Sequence, residues 1–137
     1  MTQFESSVKI VPYSQEGVYT KLSDLSNLES VKEKTPQDKI ENLTFDADTL
    51  SLNVAHIGKL ILKIIEREPS KCIKFETVQS PLPFHLWIQL LPISEEECKI
   101  KLTLRAEINI FMKGILKKPL QEGLEKMVET LATIQYE

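Results

Sequence analysis

Aromatic side chains make up only 7% of this sequence, glycine occurs four times and cysteine twice. Each scarcity removes a class of protein. Cys72 and Cys98 stand 26 positions apart, with no CxxC pair and no histidine at ligand spacing, so a zinc site is not expected. In a reducing compartment they read as two buried thiols. No stretch approaches the ~18 consecutive apolar residues of a membrane span, which excludes an integral membrane segment. The opening "MTQFESSVKI" lacks the basic-then-apolar order of a signal peptide, so the expected location is cytoplasmic. There is no block of Lys or Arg and no basic run interleaved with aromatics. With a net charge of −3, nucleic acid is not the expected partner. No Ser-His-Asp set, Gly-rich phosphate loop or cluster of His and carboxylates is recognisable. No catalytic group, metal or cofactor is therefore assigned.

What remains is an ordinary globular composition, 42% hydrophobic and 27% charged over 137 residues, read as one domain spanning 1–137. Charge is unevenly placed. Residues 15–56 carry eight acids against four lysines, and 57–118 carry eleven Lys or Arg against seven acids. That pattern fits a basic, solvated sheet face beside an acidic helical layer.

The chain begins with period-two alternation in "QFESSVKIV", with Phe4, Val8 and Ile10 on one side of a half-buried strand. After Pro12, Ser14 is placed to cap a short helix, "SQEGVYTKLSDL", whose Val18, Leu22 and Leu25 share a face. "SNLE" at 26–29 has capping-box spacing and predicts a second short helix ending before Pro36. From residue 39 the period drops to two. "IENLTF" and "TLSLNV" flank the turn-prone "DAD" as a hairpin, and Gly58 marks the reversal into "KLILKIIER". "KCIKFETV" and "FHLWIQLL" follow, separated by the stiff "SPLP" loop. "CKIKLTLRAEINIF" alternates most clearly, from Cys98 through Ile108 and Ile110 on the apolar side. Such two-faced strands belong to an antiparallel sheet with one dry and one wet side.

The dry side needs a cover, and the C-terminal stretch "MKGILKKPLQEGLEKMVETLATIQY" supplies it. Leu116, Leu120, Leu124, Met127, Leu131 and Ile134 recur at three- and four-residue steps. Pro119 predicts a kink or a fresh start in this helix, and Gly123 predicts a close approach to the sheet.

The order of elements and several residues resemble the START-like superfamily, also called SRPBCC or polyketide cyclase-like, with the helix-grip fold of the birch pollen allergen. The resemblance covers the whole chain. "EGVYTKLSDLSNLE" resembles the family's first helix, "HIGKLILKIIEREP" and "SPLPFHLWIQLLP" its middle strands, and "EINIFMKGILKKPLQEGLEKMVETLA" its last strand and Pro-containing helix. It implies an α+β fold in which strand one, two short helices and strands two to seven form a curved seven-stranded antiparallel sheet around the final helix. The implied strand order is two-three-four-five-six-seven-one, which separates Cys72 from Cys98 by a strand. It also implies an apolar tunnel between sheet and helix, since members carry lipids, sterols, quinones or polyketide intermediates.

The expected function is binding or carriage of a hydrophobic small molecule. The residues expected to line the cavity are Phe45, Leu52, Leu62, Phe75, Leu86, Leu104, Leu120, Leu124 and Met127. Two alternatives stand beside it. A small cyclase or dehydratase would need His85, Gln89 or Arg105 inside, although their parity places all three outward. A protein-interaction domain with a filled core would use the outer sheet face near Trp87. His56, Asn53 and Asn109 are expected to face solvent.

Overall fold

A computed structural model describes residues 2–27, 40–54, 58–80, 83–134 and 136. In chain order these form β1 (Thr2–Glu5), β2 (Lys9–Val11), α1 (Gln15–Leu22), β3 (Ile40–Phe45), β4 (Thr49–Val54), β5 (Gly58–Glu68), β6 (Cys72–Gln79), β7 (Phe84–Pro92), β8 (Cys98–Ala106) and α2 (Ile110–Ala132). The strands make one antiparallel sheet in the order β1-β8-β7-β6-β5-β4-β3, with β2 also paired to β8. Counting β1 and β2 as one interrupted strand, this is the expected meander with the first strand added beside the last. Cys72 and Cys98 are free thiols on β6 and β8, with β7 between them.

Alternation decides what each strand buries. Leu60, Leu62 and Ile64 on β5, Ile73 and Phe75 on β6, and Phe84, Leu86, Ile88 and Leu90 on β7 all point to one buried face. Register shifts between Ile61 and Leu62 and between Ile64 and Glu66 break the β5–β6 ladder twice. Such bulges bend a strand and increase its twist, which lets a sheet curve around a helix. Gly58 opens β5 at φ 109, a conformation that a side chain strongly disfavours, so the expected reversal is where glycine is required.

The first strand differs from its expected form. β1 pairs as Glu5↔Thr103 and β2 as Lys9↔Ile100, so one extra residue lies between them. A one-residue insertion exchanges the faces of everything after it. Val11 is therefore buried, whereas Val8 and Ile10, expected inside, are exposed. Ser6 makes the break tolerable: its Oγ accepts from Leu102 N–H at 2.8 Å, replacing a ladder contact inside the core.

The last strand also ends early. β8 stops at Ala106, and Asn109, expected to alternate as a strand residue, instead caps α2 by accepting from Met112 N–H at 2.8 Å. Ile110 becomes the exposed first residue of the helix rather than an inward strand residue. α2 then runs unbroken through Pro119, so no fresh start occurs there. At Gly123 an added Cβ would meet open space, so the close approach to the sheet is not found. Near residue 25, Asp24 Oδ1 accepts from Ser26 N–H and Ser26 Oγ–H. Those bonds, the side-chain one first, hold the Asp24 carboxyl below its ordinary value. The predicted second helix beyond residue 27, with Glu29 and Pro36, lies outside the described residues, as do His56 and Pro81–Leu82.

Candidate ligand-binding interior

α2 returns along β8 and is pinned there by polar bonds at its edge. Gln121 Nε2–H donates to Glu5 C=O at 2.7 Å, and Glu125 accepts from both the backbone N–H and the hydroxyl of Ser7. With the edge fixed, the stripe of α2 faces the sheet. Leu120, Leu124, Val128 and Leu131 are buried, and Leu116 and Met127 are half-buried against the same cluster. Val128, fully buried, was missed because the stripe was followed through Met127 one step earlier.

The structure brings the nine nominated residues into this one cluster. Leu52, Leu62, Phe75, Leu86 and Leu104 come from five different strands, and Leu120 and Leu124 come from the helix; all seven are buried. Phe45 and Met127 sit at the margin and keep part of their surface accessible. None of the nine is ionisable. Among the described residues the buried hydroxyls are those of Ser6, Thr103 and Tyr136, and all three are committed. Ser6 Oγ–H donates to Ser7 C=O, and Thr103 Oγ1–H donates to Gln89 Oε1 at 2.8 Å on the far side of the sheet. Among the described residues the interior therefore offers a ligand dispersion and exclusion from water, with no charged side chain and no uncommitted hydroxyl.

Tyr136, which the sequence reading passed over, belongs to the same buried cluster. Tyr136 folds back against α1, its ring edge-on to Tyr13 at 5.8 Å, and its hydroxyl donates to Leu131 C=O at 2.6 Å. Burial pushes its ionisation far above the ordinary range, so it stays a neutral donor. An open groove of about 580 Å³ lies beside Tyr136, bordered also by Ser14, Glu16, Gly17, Thr20, Lys21 and Asn27. It borders none of the nine nominated residues, and its charges of both signs suit solvent better than an apolar guest.

His85, Gln89 and Arg105 lie on the outer face, as their parity predicted. His85 pairs with Arg105 and Gln89 with Lys101 across β7 and β8. His85 Nε2 approaches Glu76 Oε1 at 3.6 Å, and Arg105 donates to Gln3 Oε1 at 2.8 Å. Trp87 is half-buried among them, with the Lys74 ammonium 5.2 Å and the Arg105 guanidinium 5.6 Å from its ring. Cations over an indole face are mutually stabilising, which gives the lone tryptophan a packing role on the wet side. Asn53, half-buried, alternates with the buried Leu52. No group of three or more metal-ligating side chains occurs among the described residues, and none of their helices is long and apolar enough to cross a membrane.

A curved antiparallel sheet closed over one long C-terminal helix defines a helix-grip protein, and solved structures bear out that class. Norcoclaurine synthase from Thalictrum flavum, in complex with dopamine and hydroxybenzaldehyde, superposes with a TM-score of 0.73 over 96% of this chain and 84% of its own, at 14% identity. A START superfamily protein from Mycobacterium smegmatis gives 0.59 over 94% and 98%, at 15% identity. A protein from Thermus thermophilus gives 0.64 over 96% and 94%, at 18% identity. No family model matches the sequence, and no curated protein does. The chain thus has the helix-grip fold of the START-like superfamily, and the resemblance read from its sequence holds at the level of the fold.

Proposed function

We propose that this protein binds a hydrophobic small molecule, of lipid, quinone or polyketide-like character, between the sheet and α2. The observation that carries this reading is the chemistry of the enclosed face. Strands β4 to β8 and α2 turn only apolar side chains toward one another, and the few buried hydroxyls are spent on backbone or outer-face partners. Phe45 and Met127, which keep accessible surface, are the first residues a ligand meets; a flexible thioether suits guests of varied shape. A cyclase or dehydratase would need an acid or base in that space, and the three candidate groups lie on the opposite face.

A thermal-shift screen with fatty acids, quinones and aromatic polyketides tests the reading. A ligand bound only by the folded state, at about a hundred times its Kd, adds ~2.7 kcal/mol and raises Tm by several degrees. Phe45→Ala and Met127→Ala should each reduce the shift for the ligand that gives it. If no class raises Tm, the interior is simply a packed core and the reading fails.

A further inference from the structure

The first half of α2 carries apolar side chains where a helix on a sheet has no use for them. Ile110, Phe111 and Ile115 are 82%, 84% and 74% exposed, and Met112 is also exposed. At 100° per residue, Phe111 lies on the side of the helix opposite Leu120, and Ile115 falls one turn further along that outer side. About two to four turns later the same side reads Glu122, Lys126 and Glu129, the ordinary polar exterior.

Geometry explains why this end is bare. Gln121 is bonded at Glu5, which pairs with Thr103, so Ile110 lies ~16 Å of helix before that point. β8 has only three more residues there, ~10 Å of strand, so the first turn of α2 overhangs the sheet. Around Gly114 an added Cβ would likewise meet nothing within 4 Å.

Charge identifies what covers this tip. Residues 110–121 contain Lys113, Lys117 and Lys118 and no acid, in a chain of net charge −3. The first turn has no acidic residue either, so the positive end of the helix dipole adds to the lysines. Two copies of this patch facing each other across a two-fold axis would bring six lysines together with no acid in the patch to oppose them, which disfavours self-association. The exposed apolar side chains and the lysines share one short helical segment, with Lys118 beside Phe111 and Lys113 and Lys117 further round the helix, a composition that matches an interface of acyl chains under anionic headgroups.

We propose that the exposed first half of α2 docks this protein reversibly on a lipid surface bearing anionic headgroups. Docking uses surface residues outside the proposed ligand-lining set, so it stands or falls separately from ligand binding. The test is sedimentation of the full chain with vesicles of phosphatidylcholine alone, or of equal parts phosphatidylcholine and phosphatidylserine. Binding to the anionic vesicles, weakened by salt and absent from the neutral ones, is expected. Lys113→Gln with Lys117→Gln and Lys118→Gln should weaken it about a hundredfold, at roughly fivefold per lysine. Phe111→Ser with Ile115→Ser should weaken it at least tenfold at unchanged Tm, because neither side chain supports the core. Failure to sediment with anionic vesicles at low salt overturns the proposal, as does native-like binding by either variant. It is also overturned if the native chain is a dimer that the Phe111/Ile115 variant separates, since the patch then covers a second copy.

Discussion

The two halves of α2 are built from similar residues and meet different fates. From Leu120 onward, Leu124, Val128 and Leu131 are buried and the outer side is charged. Before Pro119, Ile110, Phe111 and Ile115 are equally apolar yet exposed. Helix propensity does not separate them, since both halves form one continuous helix. What separates them is mainly the side of the helix they occupy: Phe111 and Ile115 lie opposite Leu120, away from the sheet, and Ile110 lies on the overhanging first turn. Apolar character is thus a stability device in one half and an accessible surface in the other.

The sharpest way to break this comparison is to truncate one leucine or isoleucine in each half. Leu124→Ala removes a buried side chain from between sheet and helix and should cost about 2–5 kcal/mol in denaturant unfolding. Ile115→Ala, one of the most exposed large apolar residues, should stay within about 0.5 kcal/mol of the native chain. Comparable losses at both sites would mean that the first half is held by something other than the sheet.

Pro119 marks the seam. It cannot donate to Ile115 C=O, so the helix is weakest where its two halves join. Pro119→Ala should restore that bond and stabilise the fold by about 1–2 kcal/mol, after allowing for the freer unfolded chain. Hydrogen exchange should slow chiefly in amides 113–118. Slowing confined to 120–132 would show that the proline acts on the packed half instead.

How much of this was legible depended on whether one period or two spoke at the same residue. β5 to β8 follow strict alternation, so their inward residues, including Leu62, Phe75, Leu86 and Leu104, could be read directly. Near residue 109 the strand alternation of Ile108 and Ile110 ran on into a helix start. Asn109 had cap spacing to Met112, but the stronger period-two signal hid it. The break at Ser6 was invisible for a different reason: the residue that replaces the ladder contact is a small polar one, indistinguishable from a wet-face serine. Tyr136 belongs to no periodic segment, and only tertiary contact with Tyr13 reveals its role. The nine nominated residues were legible as a dry face, whereas the exposure of Ile110 depends on where the sheet ends, which no local pattern encodes.

The smallest expected effect concerns the clamp that holds the packed half in place. Glu125 accepts from the Ser7 hydroxyl and, at 2.7 Å, from the Ser7 N–H, tying α2 to the break between β1 and β2. These bonds, the hydroxyl first, hold its carboxyl below the ordinary value of 4.5. A depressed folded-state value means the clamp is fully present above about pH 4.5 and is lost as pH falls through the folded value. The group is close to solvent, so its contribution is screened and should be well under about 1 kcal/mol. Native protein should therefore lose a little stability between pH 5 and 3 that Glu125→Gln does not lose, in urea unfolding at each pH. Ser7→Ala should flatten the same slope by removing the main cause of the shift. Phe111→Ser, in the unpinned half, should leave the slope as it is; if it changes too, the halves of α2 are coupled through Pro119 rather than held separately.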